Sequence, residues 1–418
     1  MKRELQTCLF SFTMMVVTIS ITPFSIAADY ELPAVFSVTD VLEKELLESE
    51  SYKIHEEVRN DGFMNIYNVD SQFGSWEVSS TSVLRLRLSE IIAMEKMREV
   101  EEGEMTDEAV NEDVDEIKQG LSDLVHDPEG TLKGAASGVS KMFKLSGEAW
   151  KSRHTRDEGS MQSLGKTVSG YSKAKRQFAG QFGVDPYSTN VVLHEELDRL
   201  ASAAAKGSIF AMTVKALIPG GIGLMISATG LSHSLNELLI TKSEVEMRII
   251  NRDKLLAMGV DAELTESFLD DSRTTTTQKT YFVGALEALE GVKGKNQFVS
   301  YFIGPPSEDV ALFRAASGLM YSWYHKNVEK IDRFETVGAF SAAINSAGKL
   351  VICAPLDHIL WTEPMDIIVT SIDEAVTQSE TITGKQLWSS GTISEITKAN
   401  LAEQNWVVQS EVIFNEEN

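Results

Sequence analysis

The sequence predicts an α+β fold, predominantly helical, with a small N-terminal antiparallel meander, a helical middle and a C-terminal hairpin packed with helices. Three observations predict it. Turn signals and partial alternation run through 52–78, apolar residues recur at helical spacing from Thr81 onward, and two apolar runs near the C-terminus flank Asn345-Ser346-Ala347-Gly348. The chain has 418 residues, 43% hydrophobic and 24% charged, which is globular composition with ample length for a core. At about 150 residues per domain it accommodates two or three domains. With 28 glycines and nine prolines it is neither fibrous nor low in complexity.

The N-terminus reads as a secretory signal peptide. Lys2 and Arg3 supply the positive start, Cys8 to Ile21 is an apolar run, Pro23 breaks it, and Ser25-Ile26-Ala27 offers small residues for cleavage. Cleavage after Ala27 or Ala28 makes residues 1–28 the leader, starts the mature chain near Asp29, and places it in the periplasm or outside the cell. The run is short for a membrane span. Leu5-Gln6-Thr7-Cys8 is a poor lipobox, because the apolar run follows the cysteine. Only Cys353 survives cleavage, so no intrachain disulfide can form. It lies in the apolar run Leu350-Val351-Ile352-Cys353-Ala354 and is expected as a buried, inert thiol.

Residues 29–100 are expected as the meander plus a helix. Tyr52 to Val58 partly alternates, Asn60-Asp61-Gly62 suits a tight primed hairpin, and Phe63, Tyr67, Phe73 and Trp76 suit pleated surfaces. A second turn falls at Asp70 to Gly74. Leu84, Leu88, Ile91 and Ile92 predict an amphipathic helix over 81–99. An acidic stretch follows at 101–130.

Residues 131–180 are a basic segment. Gly130, Gly134 and Gly138 recur every four residues, with Met142, Phe143 and Trp150 as apolar bulk. Ser160 to Tyr171 reads as a loop, and a helix begins at Lys173. The helical domain spans 181–304. It has a turn at Val184 to Asn190 with several N-cap candidates, helices at 191–206 and 278–290, a helix closed by Met258-Gly259, and another starting at Thr265 to Leu269. Gly304-Pro305-Pro306 is the best linker candidate. The C-terminal α+β domain, 307–418, opens with a helix capped by Ser307-Glu308-Asp309 and running to about Glu329. The hairpin of 339–344 and 350–353 and helices at 363–377 and 392–403 complete it.

Charge is the most informative pattern. The chain carries 38 basic and 62 acidic residues, a net charge of -24. A chain this acidic repels the phosphate backbone, so no nucleic-acid partner is expected. Residues 131–180 run against the trend, with ten basic residues and three acidic ones. Lys133, Lys141, Lys144, Lys151, Lys173, Lys175 and Arg176 are the candidate anion- or membrane-binding residues, facing an anionic lipid surface. The uncharged stretch 207–236 is a second candidate contact. The blander reading pairs the basic segment with the acidic 99–116 run and folds 207–236 as a core hairpin; it outweighs the membrane reading.

Three blocks, Gly183 to Asn190, Ser307 to Phe313, and Leu356-Asp357-His358 with Trp361 and Thr362, are similar to stretches of a family of exported bacterial proteins with no assigned activity. The resemblance implies location and a mixed fold, and it transfers no functional residue.

Catalytic signatures are weak. There is no Gly-x-Ser-x-Gly elbow, and Gly220 to Gly223 lacks the Gly-Lys-Ser/Thr of a phosphate loop. Asp357 and His358, beside Trp361 and Glu363, are the candidate catalytic pair of an envelope hydrolase with a serine recruited from elsewhere. The more ordinary reading is a turn with a satisfied imidazole. His194 and Asp198 at i,i+4 lack a third ligand, so no metal site is expected. Asp185 to Glu196 departs from a calcium loop at several positions. No cofactor is expected. The reading of function is an exported non-enzymatic binding or envelope-associated protein of unknown ligand, with the hydrolase as alternative.

Overall fold

The computed structural model describes residues 30–47, 49–100, 168–205, 232–337 and 340–414. About half of these residues are helical and a fifth are in strands, with an antiparallel sheet at the N-terminus and a mixed sheet at the C-terminus, so the fold is α+β. The described residues from Glu31 onward belong to one compact unit. The acidic stretch, most of the basic segment and most of 207–236 lie outside the described residues.

The N-terminal sheet has β1 (Val35–Ser37), β2 (Tyr52–Ile54), β3 (Glu57–Asn60), β4 (Asn65–Ser71) and β5 (Gly74–Ser79), all antiparallel; the short helices α1 (Val38–Val41) and α2 (Lys44–Leu47) lie between β1 and β2. The strand topology refines the expected meander. β2 and β3 do not pair with each other: they pair with opposite halves of β4, and β1 adds to β3. The hairpin at Asn60-Asp61-Gly62 is present but is not the two-residue turn the sequence suggested. Asn60 pairs with Asn65 across four loop residues, because Asp61 Oδ1 accepts the N–H groups of Phe63 and Met64 and widens the turn. Gly62 at φ +108° makes this possible. The second turn has two loop residues, with Ser71 opposite Gly74.

Helix α3 (Thr81–Glu99) covers the expected range, capped by the Ser80 hydroxyl. Leu84, Leu88 and Ile91 are buried, and with Met94 and Met97 they join Tyr67, Val69 and Val58 of the sheet in one core. Against it pack α4 (Val168–Gln181) and α5 (Val191–Ala205). α4 begins at Val168, so the expected loop through Tyr171 is helical in its last four residues. The Tyr171 hydroxyl reaches toward the Asp198 carbonyl of α5 at 3.5 Å, and this packing overrides the weak helix propensity of Ser169 and Gly170.

The helical middle continues with α6 (Ser232–Thr241), α7 (Glu244–Ala257), α8 (Ala262–Asp270), α9 (Thr276–Ala288), α10 (Lys295–Phe302) and α11 (Glu308–Asn327). Gly304 to Pro306 does not separate domains. One apolar core runs across it, from Leu255 through Phe282, Phe298, Phe302 and Tyr324 to Val351 and Cys353. The ring centroids of Phe282 and Phe302 lie 4.1 Å apart, and Phe298 stacks on Phe334 at 4.3 Å. Each such buried ring stabilises the fold by about 2–3 kcal/mol. Cys353 is buried here as expected, and its burial pushes the thiol pKa well up.

The expected C-terminal hairpin is the centre of a larger sheet. Its order is β12 (Trp406–Gln409), β10 (Gly384–Ser389), β8 (Lys349–Ala354), β7 (Phe340–Asn345) and β6 (Ile331–Val337), with β12, β10 and β8 parallel and β8, β7 and β6 antiparallel. Helices α12 (Glu363–Thr377) and α13 (Glu395–Glu403) provide the crossovers, and β9 (His358–Ile359) pairs in parallel with β11 (Thr392–Ile393). The last helix starts at Glu395, because 392–393 is a strand.

Candidate functional site

Asp357 and His358 follow β8 and meet the N-terminal sheet. The N–H groups of Asp357 and His358 donate to the Phe63 carbonyl, and that of Leu360 donates to Gly62. The Asp357 carboxylate accepts the Asn65 N–H at 2.9 Å and the Thr81 N–H at 3.0 Å, the latter at the N-terminus of α3. A helix start favours a carboxylate. Burial nevertheless outweighs these donors and pushes the Asp357 pKa up from the usual range. His358 turns elsewhere. Its Nδ1 hydrogen-bonds Thr392 Oγ1, and its ring meets Phe36 edge-on at 5.2 Å. The two side chains are neighbours in sequence but not partners, and Asp357 does not orient the imidazole as a relay requires. Trp361 and Thr362 are likewise structural: Trp361 is buried, its carbonyl accepts the Glu31 N–H and its own N–H donates to the Glu31 carboxylate, and Thr362 caps α12.

Of the basic candidates, Lys133, Lys141, Lys144 and Lys151 lie outside the described residues. Lys173, Lys175 and Arg176 sit on α4. Lys173 is exposed, whereas Lys175 pairs with Asp198 at 2.5 Å and Arg176 is held near Tyr187 and Glu246 with its Nε buried. Two of the three charges therefore face the protein. Among the described residues no helix is long and apolar enough to cross a membrane.

The block 183–190 is a polar junction. Asp185 accepts from Thr277 and from the Tyr187 N–H, while Asn190 caps α5 and donates to Glu90 at 2.9 Å. Glu90 is fully buried on α3, its pKa raised by burial against the opposing pull of Arg87. The Nε2 of His194 meets the Ser188 carbonyl at 2.6 Å, so His194 and Asp198 do not converge on a common point. Sequence reading missed Lys279, which sits in the buried first turns of α9. Its ammonium donates to the Leu269 and Asp271 carbonyls that end α8, and burial pushes its pKa down to about 8. A polar Thr-Thr-Gln-Lys run resembles a solvated helix start and gives no hint of this.

An open pocket lies elsewhere, where the C-terminal ends of α9 and α11 meet the start of β6. It holds about 660 Å³, and its lining includes Glu290, Trp323, His325, Lys326, Lys330 and Asp332. His325 is 8% exposed, and its Nδ1 accepts the Ile331 N–H at 3.0 Å. Burial, with Lys330 and Lys295 nearby, lowers its pKa and keeps it neutral. Asp332 is already engaged by Lys293 at 3.4 Å and Arg333 at 3.1 Å. The Ser322 hydroxyl donates to the Leu319 carbonyl, so it is not poised as a nucleophile on His325. The arrangement can hold a ligand through a fixed donor, cations and an indole face. Sequence reading passed over it because His325 and Lys326 look like ordinary residues ending a helix. Compared with known proteins, the chain matches no protein family, no curated protein and no solved structure.

Proposed function

We propose that this chain is an exported protein of the periplasm or the cell exterior that binds a ligand without transforming it. One observation carries the reading. The perturbed groups Asp357, Glu90 and Lys279 are tied into internal hydrogen bonds, while the pocket at His325 keeps a donor open and, among the described residues, has no activated nucleophile beside it. Export is supported by the leader-like residues 1–28 and by the resemblance of three blocks to an exported bacterial family. It is also supported by Glu31, the third or fourth residue after the expected cut. Its N–H donates to the Trp361 carbonyl at 2.8 Å, and its carboxylate accepts from Trp361 N–H and the Ser394 hydroxyl. The fold is thus fastened from the point where the leader is expected to end. Envelope association through the basic segment belongs to the same proposal, and flotation with anionic vesicles at low salt tests it.

The test of binding without turnover uses the purified mature protein. It is screened against small molecules by thermal shift, and against chromogenic esters, amides, glycosides and phosphoesters for release. The expected result is stabilisation by a ligand class and no release. Turnover that disappears in Asp357→Asn or His358→Ala would overturn the proposal in favour of an envelope hydrolase.

A further inference from the structure

We infer that the pocket between the ends of α9 and α11 takes a small organic oxyanion, a carboxylate or phosphate on a flat apolar body, whose oxygen accepts the Nε2–H of His325. This rests on the binding reading above and names the chemistry of its ligand.

The first argument is the imidazole. The Ile331 N–H donates to Nδ1, so the neutral ring carries its proton on Nε2. Adding a second proton would set one N–H against another. No described residue accepts from Nε2, although the residue is more than nine-tenths buried and lines the pocket. The Nε2 atom is not sealed from solvent, so this N–H is reachable through the pocket, and an incoming oxygen takes the place of water on it.

The second argument is charge. Lys330 lines the pocket and has no ion pair among the described residues, Lys326 lines it too, and Lys295 on α10 adds its positive charge near His325. The acids of the lining do not cancel them. Asp332 is held by Lys293 and Arg333, and Glu290 stands at the exposed rim, acting on Lys295. An oxyanion therefore meets a fixed donor and an uncommitted cation, whereas a cation meets lysines.

The third argument is shape. Trp323 offers a half-buried indole, and Ala288 and Ile331 add apolar wall. The volume suits a small ligand with one planar group.

The test uses the whole mature protein labelled with 15N-histidine, titrated with benzoate and phenyl phosphate, with benzamide and benzylamine as neutral and cationic controls. Both anions are expected to move the His325 Nε2 resonance saturably and to bind about tenfold or more tighter than the controls, the ratio a charged hydrogen bond gives. His325→Asn keeps an oxygen for the Ile331 N–H but draws the remaining N–H back from the Nε2 position, and is expected to lose about tenfold in anion affinity with its unfolding temperature retained. Lys330→Gln, which leaves His325 in place, is expected to lose affinity and salt dependence together, and it carries the test if the histidine variant does not fold. Benzylamine binding as tightly as benzoate, an unmoved His325 resonance at saturating anion, or undiminished binding in both variants would overturn the inference. Equal binding of benzamide and benzoate removes the anion preference and leaves the binding reading standing. Release of product from a chromogenic substrate by the same sample removes the binding reading itself.

Discussion

Replacing Asp357 separates a fastener from a catalytic acid. In the folded chain its carboxylate accepts the Asn65 N–H at 2.9 Å and the Thr81 N–H at 3.0 and 3.2 Å, joining the C-terminal sheet to the first hairpin and to the start of α3. Asp357→Ala leaves both N–H groups without an acceptor, at about 1–3 kcal/mol each. Relief of the buried charge offsets part of this, so the expected net loss is about 3 kcal/mol. Asp357→Asn keeps one acceptor oxygen and is expected to cost about 1 kcal/mol. Urea unfolding followed by tryptophan fluorescence measures both. The pH dependence adds a second check. The folded carboxyl lies above its ordinary value of 3.8, so the folded state takes up the proton first. The parent therefore gains stability relative to the Asn variant as pH falls through the folded pKa toward 3.8, and loses that gain as pH rises. Both variants within about 0.5 kcal/mol of the parent, the range of an ordinary surface change, would refute the fastening role.

Further expectations follow from other buried groups. Lys279, with a pKa near 8 against 10.5 outside the fold, destabilises the folded state below pH 8 and is relieved as pH rises from 8 to 10.5; relative to Lys279→Met, the parent should gain about 3 kcal/mol across that window in denaturant titrations. Asp271 behaves oppositely. Burial opposes its ionisation, but the Gly304 N–H and Arg273 outweigh it and hold its pKa below 3.8, so its contribution is full above 3.8 and fades as pH falls through the folded value. Asp271→Asn should lose about 1–2 kcal/mol at neutral pH and show a flatter acid limb. A Cβ on Gly391 would lie 2.0 Å from the Asp357 carbonyl oxygen. Gly391→Ala should therefore part β9 from β11 and lower the unfolding free energy by about 1–3 kcal/mol, measured by urea titration.

Much of the fold was legible because local signals and packing agree. Thr81–Glu99 shows helical apolar spacing after a serine cap, and its expected face is the buried one. The Asn345 to Gly348 turn has a glycine at φ +76° between two β-favouring runs. The parallel strands were not legible. β10 reads Gly-Lys-Gln-Leu-Trp-Ser, too polar, and β12 Trp-Val-Val-Gln, too short, to announce strands until β10 pairs with β8 and β12 with β10. The one-unit core was also hidden, because Gly304-Pro305-Pro306 has linker composition whether or not Phe302 and Tyr324 pack together across it. The pocket escaped because it depends on where three element ends meet. Nothing in the order His325-Lys326-Asn327 tells that Ile331 will take Nδ1 and leave Nε2 open.

The most direct measurement is the N-terminus and whereabouts of the chain in its own cell. Intact-mass analysis of separated envelope, periplasmic, culture and cytosolic fractions reads both at once. A chain beginning at Ala28 or Asp29, outside the cytosol, is the expected result, with Glu31 seated against Trp361 and Ser394. A chain still beginning at Met1 and confined to the cytosol would contradict it.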